Sequence, residues 1–428
     1  MSTRTDWKGA AVVTLSWVVL SLMACGGGGT ATSGLARRAF VSDNADGTLH
    51  IEDALRDVES LHNIATGAQP GNLRLSPDKS ITMVFNAGSG TLSVVMNSTE
   101  AVLGSIFLPG LSTDYVILTG NAVGFAAVPN SVTAPCTPRC VEIVNLATTN
   151  TATTFQITGT INADTTGQPL NAASTLALSP DGKKLLVFGA PGEHVDTLTL
   201  IDTTAAQSAT PPPNSATTQL GGFDRPVSAV FTSDSSKAFI FNCGPECAGS
   251  TASITVLDMT KSPPVPTANI PVAGATTGLL NGSTLYVAGS PPGTGCPSST
   301  AATSCGTLQT IDTGTLAAGA PVIITDGTHD HMELGSNNQL FIGAHTCTNI
   351  ATASETRGCL TIFGTSDNKV VVPPINSDVT GIAPILHRNI VYVVQGGELR
   401  ILDTTTDALT PAQIDVVGKA VDVKYVDN

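Results

Sequence analysis

The sequence predicts an all-β protein, a β-propeller of four-stranded blades, and three observations support this prediction. Pairs of apolar strands recur as hairpins, the composition is rich in Gly, Thr and Val, and turn-forming residues precede many of the hairpins. Eight hairpins fit into residues 38–428, which gives about 49 residues per unit, the length of one four-stranded blade. Eight blades are favoured, and seven are the alternative if one hairpin is an insertion.

Each hairpin consists of two apolar segments that read as neighbouring strands. The pairs are residues 39–41 with 49–51, 81–85 with 92–96, 124–128 with 141–144, 185–188 with 197–201, 238–241 with 254–257, 285–288 with 308–311, 340–342 with 360–363, and 390–394 with 399–402. Tight turns precede several of the first strands, as in the runs SPDK at 76–79 and SPDG at 179–182. Pro presets φ and Asp closes a turn on its own backbone, so these runs separate strands.

The two ends of the repeat region are each incomplete. The first hairpin has no innermost strand before it, whereas residues 420–426 alternate as a strand and have no hairpin after them. We therefore expect the C-terminal strand to pair with the N-terminal blade. That pairing closes the ring and removes its open edges.

The strand endings carry a family resemblance. The run VYVV at 391–394 leads to ILDT at 401–404, and LYVA at 285–288 leads to IDT at 311–313. These runs resemble the YVTN-type β-propeller repeat, over roughly residues 38–428. The resemblance implies a propeller fold and leaves function open, because lactonase-like enzymes and binding scaffolds both use this repeat.

Charge and composition exclude several classes of protein. The 428 residues carry a formal charge of −14 and include only 12% charged and 4% aromatic residues. Without residues 1–24 there are 17 basic and 32 acidic residues, a net charge of −15. Because such a surface repels phosphate backbones, we expect no nucleic-acid partner.

The N-terminus has the pattern of an export signal that ends in a lipid anchor. Arg4 and Lys8 precede an apolar stretch, residues 10–24, that is short for a membrane span. It ends in Leu22-Met23-Ala24-Cys25, which resembles the lipobox of bacterial lipoproteins. In those proteins the signal peptide is cleaved just before the Cys, which becomes the lipidated first residue. The alternative is a simple secretory signal with an incidental Cys.

The same resemblance sets the expected organisation and location. Residues 1–24 form the signal peptide, residues 25–37 a Gly/Ser/Thr-rich tether, and residues 38–428 the propeller domain. Gly26 replaces the Asp that retains many Gram-negative lipoproteins at the inner membrane, so the outer membrane is favoured. The lipid on Cys25 would make the membrane one partner of the protein.

The other eight cysteines fall in pairs, each within one hairpin. Because each pair lies in the connection between adjacent strands, proximity favours four local disulfides, which export to an oxidising compartment permits. The alternative is a metal site that uses a C-x3-C thiolate pair. The pairs are Cys136 with Cys140, Cys243 with Cys247, Cys296 with Cys305, and Cys347 with Cys359.

Candidate site residues lie where the chain enters the innermost strands, because these strands line the channel of a propeller. They are Asp114, Asn171, Asp224, Arg225, His329, His331 and Asp378. His329 and His331 are two apart in a strand, so we expect them to share a face, with Asp330 pointing away. They could ligate one Zn²⁺ or Cu²⁺, with His345 as a further ligand, or form polar channel lining.

Three functions remain open at this stage. The favoured one is a non-catalytic, envelope-anchored scaffold that binds a protein or small molecule, with no cofactor. The alternatives are a lactonase-like or other hydrolase and a divalent-metal-binding accessory protein, both of which would use the His/Asp cluster. No G-x-S-x-G elbow, Walker loop or H-E-x-x-H motif occurs, which favours binding.

Replacing Cys25 by Ser is expected to move the protein from the membrane fraction to the soluble periplasmic fraction, because the acyl chains attach to the Cys25 thiol. Cell fractionation combined with mass spectrometry of the N-terminal peptide measures this. Membrane partitioning that persists in Cys25→Ser, with no loss of acyl mass, contradicts the anchor.

Overall fold

Eight antiparallel sheets form the blades of a closed propeller, which confirms the fold class and the favoured blade count. The structure, a computed structural model, describes residues 32–427 except 147, 150, 151, 154, 191, 194, 209–212, 294–304, 349–357, 376, 415, 417 and 418. Cys25 and Cys296, for which the sequence predicts a lipid and a disulfide, lie outside the described residues. Thr32–Asn428 forms one compact unit.

The blades are numbered along the chain, and their strands are given from the channel outward. Blade 1 comprises β36 (Ala420–Tyr425), β1 (Arg38–Asp43), β2 (Thr48–Asp53) and the outer segments β3 (Val58–Glu59) and β4 (Ile64–Ala65). Blade 2 comprises β5 (Pro70–Leu75), β6 (Ile81–Asn86), β7 (Thr91–Met96) and β8 (Ala101–Phe107). Blade 3 comprises β9 (Asp114–Ile117), β10 (Val123–Val128), β11 (Cys140–Asn145) and β14 (Gln156–Ile161), with the small hairpin β12 (Thr148–Thr149) and β13 (Ala152–Thr153) between the last two. Blade 4 comprises β15 (Thr175–Leu178), β16 (Lys184–Phe188), β17 (Thr197–Asp202) and β18 (Thr217–Gly221).

The second half of the ring repeats this arrangement. Blade 5 comprises β19 (Pro226–Phe231), β20 (Lys237–Asn242), β21 (Ser253–Asp258) and β22 (Val265–Pro271). Blade 6 comprises β23 (Thr277–Asn281), β24 (Thr284–Gly289), β25 (Gly306–Asp312), β26 (Ala317–Ala318) and β27 (Val322–Ile324). Blade 7 comprises β28 (Thr328–Leu334), β29 (Gln339–His345), β30 (Leu360–Gly364) and β31 (Val370–Val371). Blade 8 comprises β32 (Val379–Pro384), β33 (Ile390–Gln395), β34 (Glu398–Asp403) and β35 (Ala408–Ile414). Each predicted hairpin supplies the two middle strands of one blade.

Helices are short and connect strands. Among the described residues they are α1 (Thr203–Ala206) and two 3₁₀ turns, Pro213–Ala216 and Gly244–Cys247. Asp202 caps α1, because its side chain accepts a hydrogen bond from the Ala205 backbone N–H at 2.9 Å. Within the described part of the chain, no helix has the length and hydropathy needed to span a bilayer.

Apolar side chains pack between the faces of neighbouring blades. Phe239 and Phe241 of β20, for example, pack in one buried cluster with Leu285 and Val287 of β24. All four are shielded from solvent. Burying each such side chain contributes about 1.5–3 kcal/mol, so these interfaces account for much of the folding free energy.

The predicted Ser-Pro-Asp turns share one hydrogen-bond pattern. In blade 2 the Ser76 hydroxyl donates to Asp78 Oδ1 at 2.7 Å, and the Ser80 N–H donates to the same oxygen at 3.0 Å. The Ser76 hydroxyl also accepts from the Ile81 N–H at 3.0 Å. Blades 4 and 5 repeat the pattern with Ser179 and Asp181 and with Thr232 and Asp234. These bonds satisfy backbone donors where the inner strand turns into the second strand.

Three of the four predicted disulfides are confirmed. They join Cys136 to Cys140, Cys243 to Cys247, and Cys347 to Cys359. Each ties the connection between the second and third strands of one blade, as the hairpin positions predict. For these three pairs the alternative of a thiolate metal site is therefore wrong.

The C-terminal strand closes the ring, as predicted. β36 pairs antiparallel with β1, and Val41 lies opposite Val423. Arg38, the first residue of β1, reinforces this closure. Its guanidinium lies 2.5 Å from Asp427 Oδ1 and 3.0 Å from Glu100 Oε1, so one side chain links the C-terminal segment, blade 1 and blade 2.

Replacing Arg38 by Gln is expected to lower the free energy of unfolding by about 2 kcal/mol, because it removes the guanidinium from the buried Glu100 carboxylate, which keeps its contacts with Ser33 and His62. The Glu100 side chain is only 1% exposed. Urea denaturation measures the change. The matched control is Arg56→Gln. Arg56 is 76% exposed and lies 3.7 Å from Asp53, so this control is expected to cost less than about 1 kcal/mol. Equal losses in the two variants would contradict the role of Arg38 in closure.

Candidate functional site

A polar cavity of about 360 Å³ occupies the channel between the inner strands. Its walls come from β5, β9, β15, β23, β28 and β36, so six blades contribute to it. β28 supplies four consecutive wall residues, Asp330 to Glu333. The predicted cluster around His329 is thus the part of the chain that contributes most to the channel.

A β-bulge determines how this cluster is arranged. His329 lies opposite Ala344 of β29 and His331 opposite Gly343, so Asp330 has no cross-strand partner. Because of this extra residue, the side chains before and after it point to opposite faces of the sheet. His329 and His331 therefore do not share a face, and the expectation that they do is wrong.

Asp330 lies between two imidazoles. Its Oδ1 is 2.6 Å from His331 Nδ1, and its Oδ2 is 3.0 Å from His345 Nε2. The two imidazole ring centres are 5.8 Å apart. Asp330 does not point away as expected, because the bulge brings it alongside both histidines.

Asp378 extends the cluster to the next blade. It immediately precedes β32, and its Oδ2 lies 3.9 Å from His345 Nδ1. Its Oδ1 accepts a hydrogen bond from the Thr346 N–H at 2.7 Å. His345, the last residue of β29, therefore lies between carboxylates from two blades. We call Asp330, His331, His345 and Asp378 the entrance cluster.

The charges of the entrance cluster reinforce one another. Burial alone would raise the pKa of Asp330, but the contacts with His331 and His345 hold it well below its usual range. The contact with Asp330 raises the pKa of His345 against the opposing effect of burial. The Asp330 carboxylate therefore stays ionised between the two imidazoles.

His329 has a structural environment. It is 1% exposed, its Nδ1 lies 3.3 Å from the Ser290 hydroxyl, and its Nε2 lies 3.4 Å from the Thr325 hydroxyl. Burial lowers the pKa of His329 to about 4, which keeps the imidazole neutral at physiological pH. The His329 ring is held by Ser290 and Thr325 and is not a member of the cluster.

Asp114 also lines the cavity. Its Oδ1 lies 2.8 Å from Arg74 Nη2, and its Oδ2 accepts a hydrogen bond from the Leu176 N–H of the next blade at 2.9 Å. Asp422 has the same relation to its neighbours: it lies 3.1 Å from Lys424 Nζ and accepts from the Leu73 N–H at 2.8 Å. Both acids are thus paired with a cation inside the channel.

Three predicted site residues lie in other surroundings. Asn171 donates to Thr197 and Gln219, in the two outer strands of blade 4. Asp224 accepts from the N–H groups of Ser250 and Thr251, which fixes the loop after the Cys243–Cys247 turn. Arg225 lies 2.8 Å from Asp196 in an ion pair. The structure does not bring these three residues to the entrance cluster.

Sequence reasoning missed several channel residues. Arg74, Glu333, Asp422 and Lys424 line the cavity and were not among the candidates. Alternation within the predicted C-terminal strand gives Asp422 and Lys424 the same orientation, and this signal could have identified them. The bulge that turns Asp330 inward has no such signal in the sequence.

The entrance cluster offers the ligand types of a transition-metal centre. One ligand atom from each of Asp330, His331 and His345 can lie within 4.8 Å of the others. Imidazole nitrogens and carboxylate oxygens are the ligands that Zn²⁺ takes in catalytic and transport sites. Asp378 could act as a fourth ligand or orient His345 from its other nitrogen.

Comparison with known proteins agrees on the fold. No protein-family model matches the sequence, and the curated proteins give no match. Among solved structures, dihydro-heme d1 dehydrogenase NirN in complex with DHE is 12% identical with a TM-score of 0.65, over 91% of this chain and 75% of NirN. Apo AztD from Citrobacter koseri is also 12% identical, with a TM-score of 0.54, over 91% of this chain and 97% of AztD. At these identities the similarity shows the propeller fold alone.

The raised pKa of His345 makes a pH-dependent contribution to stability. Because the folded pKa lies above that of the unfolded chain, the contact with Asp330 stabilises the fold fully below about pH 6.5. The stabilisation is lost as pH rises through the folded pKa. Asp330→Asn is expected to lower the His345 pKa in an NMR titration, and Asp378→Asn, which removes a carboxylate 3.9 Å away, to lower it less. An unchanged His345 pKa in Asp330→Asn would contradict the arrangement.

Proposed function

We propose that this protein is an exported β-propeller that binds a divalent transition-metal ion, with Zn²⁺ or Cu²⁺ as candidates, at the entrance of its channel. The proposal places His331, His345 and Asp330 as ligands, with Asp378 beside them. The observation that carries it is the convergence of two imidazoles and a carboxylate within 4.8 Å of one another. Binding alone, without catalysis, is sufficient to account for this arrangement.

The geometry of the strands supports a preorganised site. His331 and Asp330 lie on β28, and His345 ends the hydrogen-bonded neighbour β29, so two paired strands fix three of the groups. His345 Nε2 lies 3.0 Å from Asp330 Oδ2. The imidazole pairs with Asp330 when it is protonated, and when it is neutral it can present this nitrogen to a metal ion.

The cellular setting is part of the same proposal. The three described disulfides are of the kind that forms in an oxidising compartment, which supports export. Attachment to the cell envelope through a lipid on Cys25, with the outer membrane favoured, follows from the N-terminal pattern. A flexible tether at residues 25–37 would hold the propeller near the membrane and leave its channel entrance accessible.

The structural neighbours support a binding role without selecting the ligand. NirN was solved in complex with DHE, so a protein with this fold can hold a ligand. The ligand proposed here is chosen by the His and Asp side chains of the entrance cluster, because fold similarity alone does not carry a ligand across. A protein or another small molecule that binds the same face would be compatible with the scaffold function.

Isothermal titration calorimetry with Zn²⁺ and with Cu²⁺ tests the metal site. The double variant His331→Ala/His345→Ala is expected to lose one equivalent of bound metal, because two of its ligands are removed. His387→Asn, which changes an exposed histidine in a turn, is the matched control and should bind as the wild type does. Binding at this site should weaken as pH falls through the raised pKa of His345, since protonated imidazoles do not bind metal. The same number of equivalents in the double variant and the control would contradict the proposal.

A further inference from the structure

The hairpin between β1 and β2 contains a second group of acidic and imidazole side chains, far along the sequence from the entrance cluster. Asp43 ends β1, Asp46 lies in the turn, and His50 lies in β2. Asp43 is fully buried and His50 is 2% exposed, whereas the Asp46 side chain is 41% exposed. The group is thus mainly interior, with one ligand open to solvent.

In Asp43 and in Asp46, one carboxylate oxygen accepts hydrogen bonds and the other oxygen faces His50. Asp43 Oδ1 accepts from the Ala45 N–H at 2.7 Å and from the Lys419 N–H at 3.0 Å. Asp46 Oδ1 accepts from the N–H and the hydroxyl of Thr48 at 2.9 and 2.7 Å. The remaining oxygens, Asp43 Oδ2 and Asp46 Oδ2, lie 3.6 and 3.3 Å from His50 Nε2.

Neither of these two contacts between His50 Nε2 and a carboxylate oxygen is a hydrogen bond. His50 Nε2 and Asp43 Oδ2 are both buried polar atoms without a hydrogen-bond partner. Buried polar atoms of this kind are uncommon in folded proteins and call for a partner. A nitrogen and two carboxylate oxygens that all lie within 4.8 Å of one another are ligands of the kind that surround a metal ion.

The distances agree with that arrangement. Zn²⁺ binds imidazole nitrogen at about 2.0–2.1 Å and carboxylate oxygen at about 2.0–2.2 Å, so two tetrahedral ligands lie roughly 3.4 Å apart. The observed separations of 3.6 and 3.3 Å from His50 Nε2 bracket this value. Since the three ligand atoms all lie within 4.8 Å of one another, one metal ion could contact all of them.

Metal-binding histidines generally donate from their second ring nitrogen to a carboxylate or a carbonyl oxygen, and Glu59 is placed to accept such a bond from His50. Its Oε1 lies 2.5 Å from His50 Nδ1, on the side of the ring away from the two aspartates. A carboxylate there fixes the proton on Nδ1 and leaves the Nε2 lone pair for a metal. Without a cation, that lone pair would face two carboxylate oxygens.

We propose that Asp43, Asp46 and His50 bind a divalent transition-metal ion of the Zn²⁺ class, with Glu59 as the residue that positions His50. The site is independent of the entrance cluster: it lies in blade 1 and shares no residue with blades 7 and 8. The partly exposed Asp46 gives the ion a path from solvent. A water molecule would complete the tetrahedral coordination, as in sites that exchange their metal.

The competing interpretation is that His50 is a buried imidazolium enclosed by three carboxylates. In that case Nδ1 and Nε2 both carry protons, and no metal is needed to balance the charge. The two interpretations differ in what Zn²⁺ does. A metal site takes up the ion at neutral pH, whereas an enclosed imidazolium leaves no lone pair for it.

The test uses Zn²⁺ alone, added to the metal-free protein in the His331→Ala/His345→Ala background, which removes the entrance cluster. Asp46→Asn is the main variant, because an Asn Oδ1 can still accept from Thr48 and preserve the turn. Asp258→Asn is the matched control: Asp258 Oδ1 accepts from the N–H and hydroxyl of Thr260 at 3.0 and 2.6 Å, the same turn without a histidine. Calorimetry gives the stoichiometry, and X-ray absorption counts the imidazoles bound to zinc.

We expect the background protein to bind one Zn²⁺ through a single imidazole. Asp46→Asn should weaken this binding at least tenfold, Glu59→Gln by about 10–100-fold, and Asp258→Asn should leave it unchanged. No binding by the background protein, or equal affinity in Asp46→Asn and Asp258→Asn, would overturn the proposal. The same comparison in the protein with an intact entrance cluster separates the two proposals. If both sites exist, two Zn²⁺ bind and Asp46→Asn weakens only one of them; if only the blade 1 site exists, a single Zn²⁺ binds and Asp46→Asn weakens it.

Discussion

The pairing of β36 with β1 is the constraint on which the rest of this structure depends. The first and last segments of the repeat region meet in one sheet, where Ala39 lies opposite Tyr425 and Val41 opposite Val423. Without this pairing, blade 1 would lack its inner strand, and the ring would have two open edges. The closure also places Asp422 and Lys424 in the channel, so the same strand that completes the fold supplies part of the cavity wall. The backbone N–H of Lys419, just before β36, donates a hydrogen bond to Asp43 Oδ1. This bond connects the closure to the proposed blade 1 site as well.

Local irregularity at the start of the inner strands changes the direction of side chains in this regular frame. Register shifts occur between Pro70 and Leu73, between Pro226 and Ser228, between His329 and His331, and between Val379 and Gly381, in blades 2, 5, 7 and 8. A bulge re-aims side chains at a point where the strand would otherwise alternate. In blade 7 it separates His329 from His331 and turns Asp330 toward His345. The entrance cluster therefore results from a departure from strand regularity at a position where the regular pattern predicts a different pair.

Much of the architecture was predictable because it depends on periodic features. The spacing of apolar strand pairs near 49 residues indicated eight blades, and cysteine positions within hairpins indicated the three disulfides that the structure describes. The site was only partly predictable. His331 and Asp378 could be selected because they lie where inner strands begin, but the same criterion selected Asn171 and Asp224, whose side chains stabilise loops. Alternation within a strand cannot anticipate a bulge, and it therefore gave the wrong face for His329. Asp43, Asp46 and His50 surround a hairpin turn, and their proximity follows from the β1–β2 register, which the sequence alone did not assign to a site.

The central claim is that the channel entrance of this propeller is a metal site. Anomalous X-ray diffraction at the zinc absorption edge, on crystals of the propeller domain soaked in Zn²⁺, locates bound metal without reference to any assumed function. The account predicts an anomalous peak at about 2.0–2.2 Å from ligand atoms of His331, His345 and Asp330. Anomalous density confined to other positions, with these three side chains arranged as they are without metal, would contradict it.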